Sequence, residues 1–212
     1  MKALLVLAIS LTLLSFSAHA YRESNGGKGV LTDRGVVLLD LYEASVDQPF
    51  FGGSYSEKTY WDLRVNLPKD FPVQLIARKL ADLERFSPEL HLLLVLSLND
   101  LRWEFTRNEL QMTTDLEKLP DVDPAKLVQL AVRKKNQIFI HRPLWNIMST
   151  DQQAALVVHE ILYHHFDARS ASTVSLPVRK FVGVLFSDRS YSQLMQDPEL
   201  QHQWRKILLF AN

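Results

Sequence analysis

The chain has no cysteine among its 212 residues. That removes cysteine proteases, CxxC redox sites and Cys-ligated zinc from consideration. It also leaves the fold to rest on an apolar core rather than on disulfides. There is no charge excess either: 24 basic residues face 24 acidic ones. A balanced chain does not predict nucleic acid or an anionic membrane as its main partner. Also missing are a glycine-rich phosphate loop, a G-x-S-x-G elbow and a Ser/His/Asp arrangement.

The apolar residues that are present begin at the N-terminus. "MKALLVLAISLTLLSFSAHA" has a positive start at Lys2, an apolar stretch from Ala3 to Phe16, and Ala18-His19-Ala20 in the small-x-small pattern. This reads as a secretory signal peptide over residues 1–20, cut after Ala20. Residue 21 is Tyr, so no lipid-accepting cysteine follows and a lipoprotein is not expected. Past the leader the longest apolar run is "LHLLLVLSL" at 90–98. It is too short for a transmembrane span and reads as a buried helix. The expectation is an exported protein, periplasmic or extracellular. Residues 21–212 would form a single domain whose first part, 21–29, is a flexible arm rich in glycine.

Within that domain, Val30–Thr32 reads as a short strand and Asp33-Arg34-Gly35 as a turn, with a helix starting at Val36. Residues 46–70 read as an aromatic-rich loop. Asp70-Phe71-Pro72 opens a helix to about Phe86, and Ser87-Pro88-Glu89 opens another to about Leu98. Trp103-Glu104-Phe105 suggests a strand. "LVQLAVRKKNQIFIH" at 127–141 alternates as a β-hairpin turning at Lys134–Asn136. Ser149-x-x-Gln152 and Thr150-x-x-Gln153 both fit a capping box for a helix over 151–166. Ser175-Leu176-Pro177 caps a further helix, and Asp197-Pro198-Glu199 starts a last one ending near Leu209. The fold class predicted is α+β, mostly helical, with a β-hairpin preceding the 151–166 helix.

That helix carries "VVHEILYHH", residues 157–165. Zinc peptidases often hold H-E-x-x-H on a helix, where two histidines four apart share a face. Here Tyr163 takes the second position and His164 arrives one residue late. On a regular helix His164 points about 140° from His159. The wheel puts His159 and Tyr163 on the apolar face, and Glu160 and His164 on a polar face with Gln153 and Asp167. A π-bulge would bring His159 and His164 together. Three readings stay open. His159 is a core histidine bonded to a carbonyl or carboxylate, or it works with Glu160 as a functional pair. In the third, His159 and His164 are metal ligands with Glu160 as the catalytic base. The metal reading needs a third ligand from Asp167, Asp188, Glu199, His141 or His202.

Other residues join a candidate polar network. Asp40 and Glu43 stand at i,i+3, a pattern for paired carboxylates or for a solvated face. Arg179 falls in the first turn of an apolar helix and is poised to pair with Glu160 or Asp167. His141 ends the hairpin just before the His159 helix and is the histidine expected to approach it.

Two resemblances follow from these motifs. His159-Glu160 with His164 resembles the H-E-x-x-x-H spacing of the dipeptidyl-peptidase III metallopeptidases, over six residues only. "NGGKGV…VVLLDLYEA", "IHRPLWNIMSTDQQAALVVHEILYH" and "SLPVRKFVGVLFSD" together resemble a group of uncharacterised exported bacterial proteins. That second resemblance implies no known reaction, and it makes His159-Glu160 with Tyr163 the pattern to explain.

The functional expectation is an exported soluble protein with a structural or interaction role in the cell envelope. No cofactor is expected on this reading, with zinc the one candidate; the partner is unknown, a protein partner being one option. The alternative is a zinc-dependent hydrolase built on the His159-Glu160 helix.

Overall fold

In a computed structural model, the residues described are 26–33, 35–47, 67–84, 87–113, 122–167, 175–187 and 198. Strand β1 (Lys28–Thr32) turns back into β2 (Gly35–Leu38), which runs directly into helix α1 (Leu39–Asp47). The turn needs glycine at 35: its φ is +121°, a region that side-chain-bearing residues rarely adopt. Helices α2 (Val73–Glu84) and α3 (Pro88–Asp100) follow, then β3 (Arg102–Thr106). Later come β4 (Leu127–Gln129), β5 (Ala131–Lys134), β6 (Gln137–His141), the short α4 (Arg142–Ile147), α5 (Thr150–Asp167) and α6 (Leu176–Leu185). This is an α+β fold with two three-stranded sheets, ordered β2-β1-β4 and β3-β6-β5.

Helix α1 starts at Leu39, later than the expected Val36, because 35–38 pair with β1 in register Gly29 to Leu38. The segment expected as one hairpin strand, 127–134, is broken at Leu130. Its first part pairs with β1 and its second with β6. The break is filled from the N-terminal segment: the amides of Leu130 and Ala131 both donate to the Gly27 carbonyl, at 2.9 and 3.1 Å. The buried Gln129 amide donates to the Gly26 and Ala131 carbonyls, at 2.9 and 2.7 Å. Residues 26–29 are therefore buried, contrary to the expected flexible arm over 21–29. The glycines serve close approach instead. A Cβ on Gly27 would lie 2.2 Å from Leu156 Cδ1. Residues 21–25 of that expected arm lie outside the described residues.

Helix α5 is the axis of the core. Ser149 and Gln152 exchange long capping contacts of 3.4 Å each way, which starts it as the capping box predicts. From Ala154 to Tyr163 every residue is at most 2 % exposed. Such a helix has no solvated face in this stretch, because α2, α3, α6 and β2 surround it. Leu38, Leu80, Leu83, Leu90, Leu94 and Val182 are among the side chains packed in this core. Burying each stabilises the fold by roughly 1.5–3 kcal/mol before entropy is set against it.

Candidate functional site

Inside this core the N-terminal segment meets helices α5 and α6 through charged groups. The first turn of α1 presents Asp40, and one turn on it presents Glu43. Asp40 Oδ2 lies 2.6 Å from His159 Nδ1, with both side chains at most 2 % exposed. Glu43 Oε2 accepts from Arg179 Nε at 3.0 Å, and Arg179 Nη1 donates to Ser175 Oγ at 2.8 Å. Next to His159 on α5, Glu160 accepts the Gly27 backbone N–H at 2.5 Å. Tyr163 lies one turn on from His159 with its ring nearly parallel, 6.0 Å between centroids.

Two expectations are overturned here. Glu160 was placed on a polar face with His164; it is fully buried instead. Its neighbours on that side, Val157 and Ile161, are also fully buried, so the wheel has no wet sector there. Asp40, weighed as part of a solvated carboxylate pair, is 1 % exposed because α1 is pressed against α6. Arg179 is likewise buried and pairs with Glu43.

The remaining candidates separate. The helix is a regular α-helix over Thr150–Asp167, without the π-bulge that would align His159 with His164. His164 Nδ1 is 3.0 Å from Arg133 Nη1 of β5. A guanidinium can only donate, so this imidazole nitrogen accepts and its lone pair is occupied. The Arg133 guanidinium also lies 5.7 Å from the Tyr163 ring centroid. His141 ends β6 opposite Thr106 and makes no hydrogen bond to the His159 group. Asp188, Glu199 and His202 lie outside the described residues, as does the side chain of Asp167.

His159 Nδ1 and Glu160 Oε1 are each engaged within the chain, the first with Asp40 and the second with the Gly27 N–H. Among the described residues no three His, Asp or Glu side chains are grouped to hold a metal ion.

No family model, curated protein or solved structure matches this chain.

The electrostatics of the site therefore have to be read from its own groups. For His159, burial pushes the imidazole pKa down, but Asp40's charge and hydrogen bond, helped by Glu160's charge, outweigh it. The net shift is upward from 6.5, so the folded protein favours imidazolium. For Glu160, burial pushes the carboxyl up from 4.5, and the opposing pull of His159, the Gly27 N–H and Arg133 does not cancel it. Asp40 Oδ1 and Glu160 Oε2 are buried and have no protein hydrogen-bond partner. A cleft of about 510 Å³ between the first turns of α2 and α5, lined by Phe71, Leu75, Arg78, Thr150 and Asp151, includes none of these residues.

Three of these contacts share one property: each joins residues 26–47 to a distant part of the chain. Missing from the sequence reading was the role of Gly27, whose signal was visible only as an unexplained glycine pair. Arg133 was missed as well; it stands in an alternating strand where a polar residue predicts exposure.

Proposed function

We propose that the His159-Glu160 group is an internal clasp, and that the protein is an exported soluble protein with a structural or interaction role in the cell envelope. One observation carries this reading. His159 and Glu160 are 2 % and 0 % exposed, and each is committed to a different point of the N-terminal segment. A catalytic base needs to reach the proton it abstracts. Buried groups bonded to their own chain instead fix a unique arrangement of segments. The signal-peptide pattern of residues 1–20 supports export to the periplasm or beyond, and no described helix is long and apolar enough to cross a membrane. The resemblance to uncharacterised exported bacterial proteins through the Gly-Gly and His-Glu segments supports the same reading.

The test is metal content and fold together. The mature chain, purified without added metal, is expected to carry no stoichiometric zinc by mass spectrometry of the native protein. His159→Ala is expected to lower thermal stability. Stoichiometric zinc that disappears in His159→Ala would overturn the clasp in favour of a metal-dependent hydrolase.

A further inference from the structure

Helix α3 buries Leu90, Leu94 and Leu98 against the core, yet on its other side Leu92 and Leu96 are 59 % and 50 % exposed. Leu93 and Val95 flank them, each half-buried. A surface helix ordinarily turns polar residues outward, and leucines on both sides are the pattern of a helix that is covered on both.

The order of residues on the outer side names a cover. It reads Glu89, Leu92, Leu96 and Asn99, all exposed, in steps of three, four and three residues. That spacing is unchanged when the helix is reversed about Leu94. If a second α3 is laid antiparallel on the first, with a two-fold axis at Leu94, each Leu92 faces the Leu96 of the other copy. Leu93 falls opposite Val95 in the same way, and Glu89 opposite Asn99. The last pair matches an acceptor with a donor. Asn99 Nδ2 donates to the Val95 carbonyl at 3.1 Å, which uses one of its two N–H groups and leaves the second for a carboxylate. A patch that fits its own reversed copy is what a two-fold interface requires.

Area and charge set the strength of such a pair. One face of a 13-residue helix falls short of the roughly 1,200–2,000 Å² that a stable complex buries. Exposed Asp100, next to Asn99, also brings a second carboxylate toward the Glu89 of the other copy. Both features make the pair weak and reversible.

We propose that α3 is the contact face of a weak antiparallel homodimer, in which Leu92 and Leu96 of two copies pack across a two-fold axis at Leu94. This rests on the interaction role proposed above and names its partner as a second copy of the chain. Helix α3 carries no residue of the clasp, so the metal-content test and the dimer test fail separately.

Sedimentation equilibrium of the full mature protein is the first measurement. The average mass should rise from one chain at about 1 μM toward two chains at about 1 mM. Leu92→Glu/Leu96→Glu, at positions already in water, should weaken association by about tenfold or more. Asn99→Lys places a cation opposite Glu89 and should tighten it by about threefold. Thiols read the register, since the chain has no cysteine of its own. Leu92→Cys and Leu96→Cys proteins, mixed in equal amounts and oxidised, should form mixed disulfide dimers in excess over like pairs. A mass of one chain across the whole range, growth past two chains, association unchanged by the glutamates, or an excess of like pairs would each overturn the proposal.

Discussion

Replacing Asp40 by asparagine is the sharpest perturbation of the clasp. Asparagine keeps the shape of the side chain, so no cavity opens and the loss is electrostatic. His159 would stay 2 % exposed, 2.6 Å from a neutral amide instead of a carboxylate. Removing one member of a buried pair typically costs about 3–5 kcal/mol, because the other group is left buried without its compensation. For a chain of this size each kcal/mol moves Tm by about 2–4 °C, so a fall of roughly 10 °C is expected. Calorimetry on the mature protein measures it directly. NMR of the His159 ring should show its pKa falling in the same variant, since the attraction that raises it is gone. A double-mutant cycle with His159→Gln isolates the pair: the two changes together should cost much less than their sum. A Tm within about 2 °C of the parent, or effects that add to within about 0.5 kcal/mol, would refute the argument that this pair holds α1 to α5.

Three further outcomes follow from the same geometry. Gly27→Ala places a Cβ 2.2 Å from Leu156 Cδ1 and 3.3 Å from Glu160 Oε1, so urea denaturation should show a loss of about 1–3 kcal/mol; a neutral result would mean that 26–29 is not seated there. Glu43→Gln breaks a pair whose acid is 18 % exposed, and its cost should be smaller than that of Asp40→Asn in the same urea assay. The pH dependence has a definite sign. Glu160 and His159 both have pKa values raised on folding, from 4.5 and 6.5, so the native state binds more protons than the unfolded one. Stability then falls as pH rises, first above about 4.5 as unfolded Glu160 ionises, then above about 6.5 as unfolded His159 loses its proton. Urea midpoints measured from pH 5 to 9 should decline, and Glu160→Gln should flatten the acidic part of the decline; a midpoint that rises across this range would contradict the assignment.

Local signals in the sequence located most of the elements. Ser87-Pro88 and Ser149-x-x-Gln152 mark the starts of α3 and α5, and alternation marks β5 and β6, because caps and periodicity are properties of neighbours in the chain. The clasp was harder to read. A helical wheel assigns a residue to a wet or dry side from the residues within two turns of it. Glu160 shares its side with His164 and Gln153, so the wheel calls it polar. Its burial comes from Gly27 and the surrounding helices, which leave no trace near position 160. Asp40 and Glu43 mislead in the same way: i,i+3 carboxylates look solvated until α6 is laid against them. His159 was legible as a residue of the apolar face needing a partner, but only the structure names Asp40. The break at Leu130 is equally non-local, since 127–134 alternates without interruption and is divided by the Gly27 carbonyl.

The clasp also sets an order of events in synthesis. Its contacts span 119 residues from Asp40 to His159, 133 from Gly27 to Glu160 and 136 from Glu43 to Arg179. Residues 27–43 leave the ribosome well before their partners at 159–179. At about 5–20 residues per second that interval is on the order of ten seconds. Contacts of such separation also slow folding once the chain is complete, because loops must close before the contacts repay them.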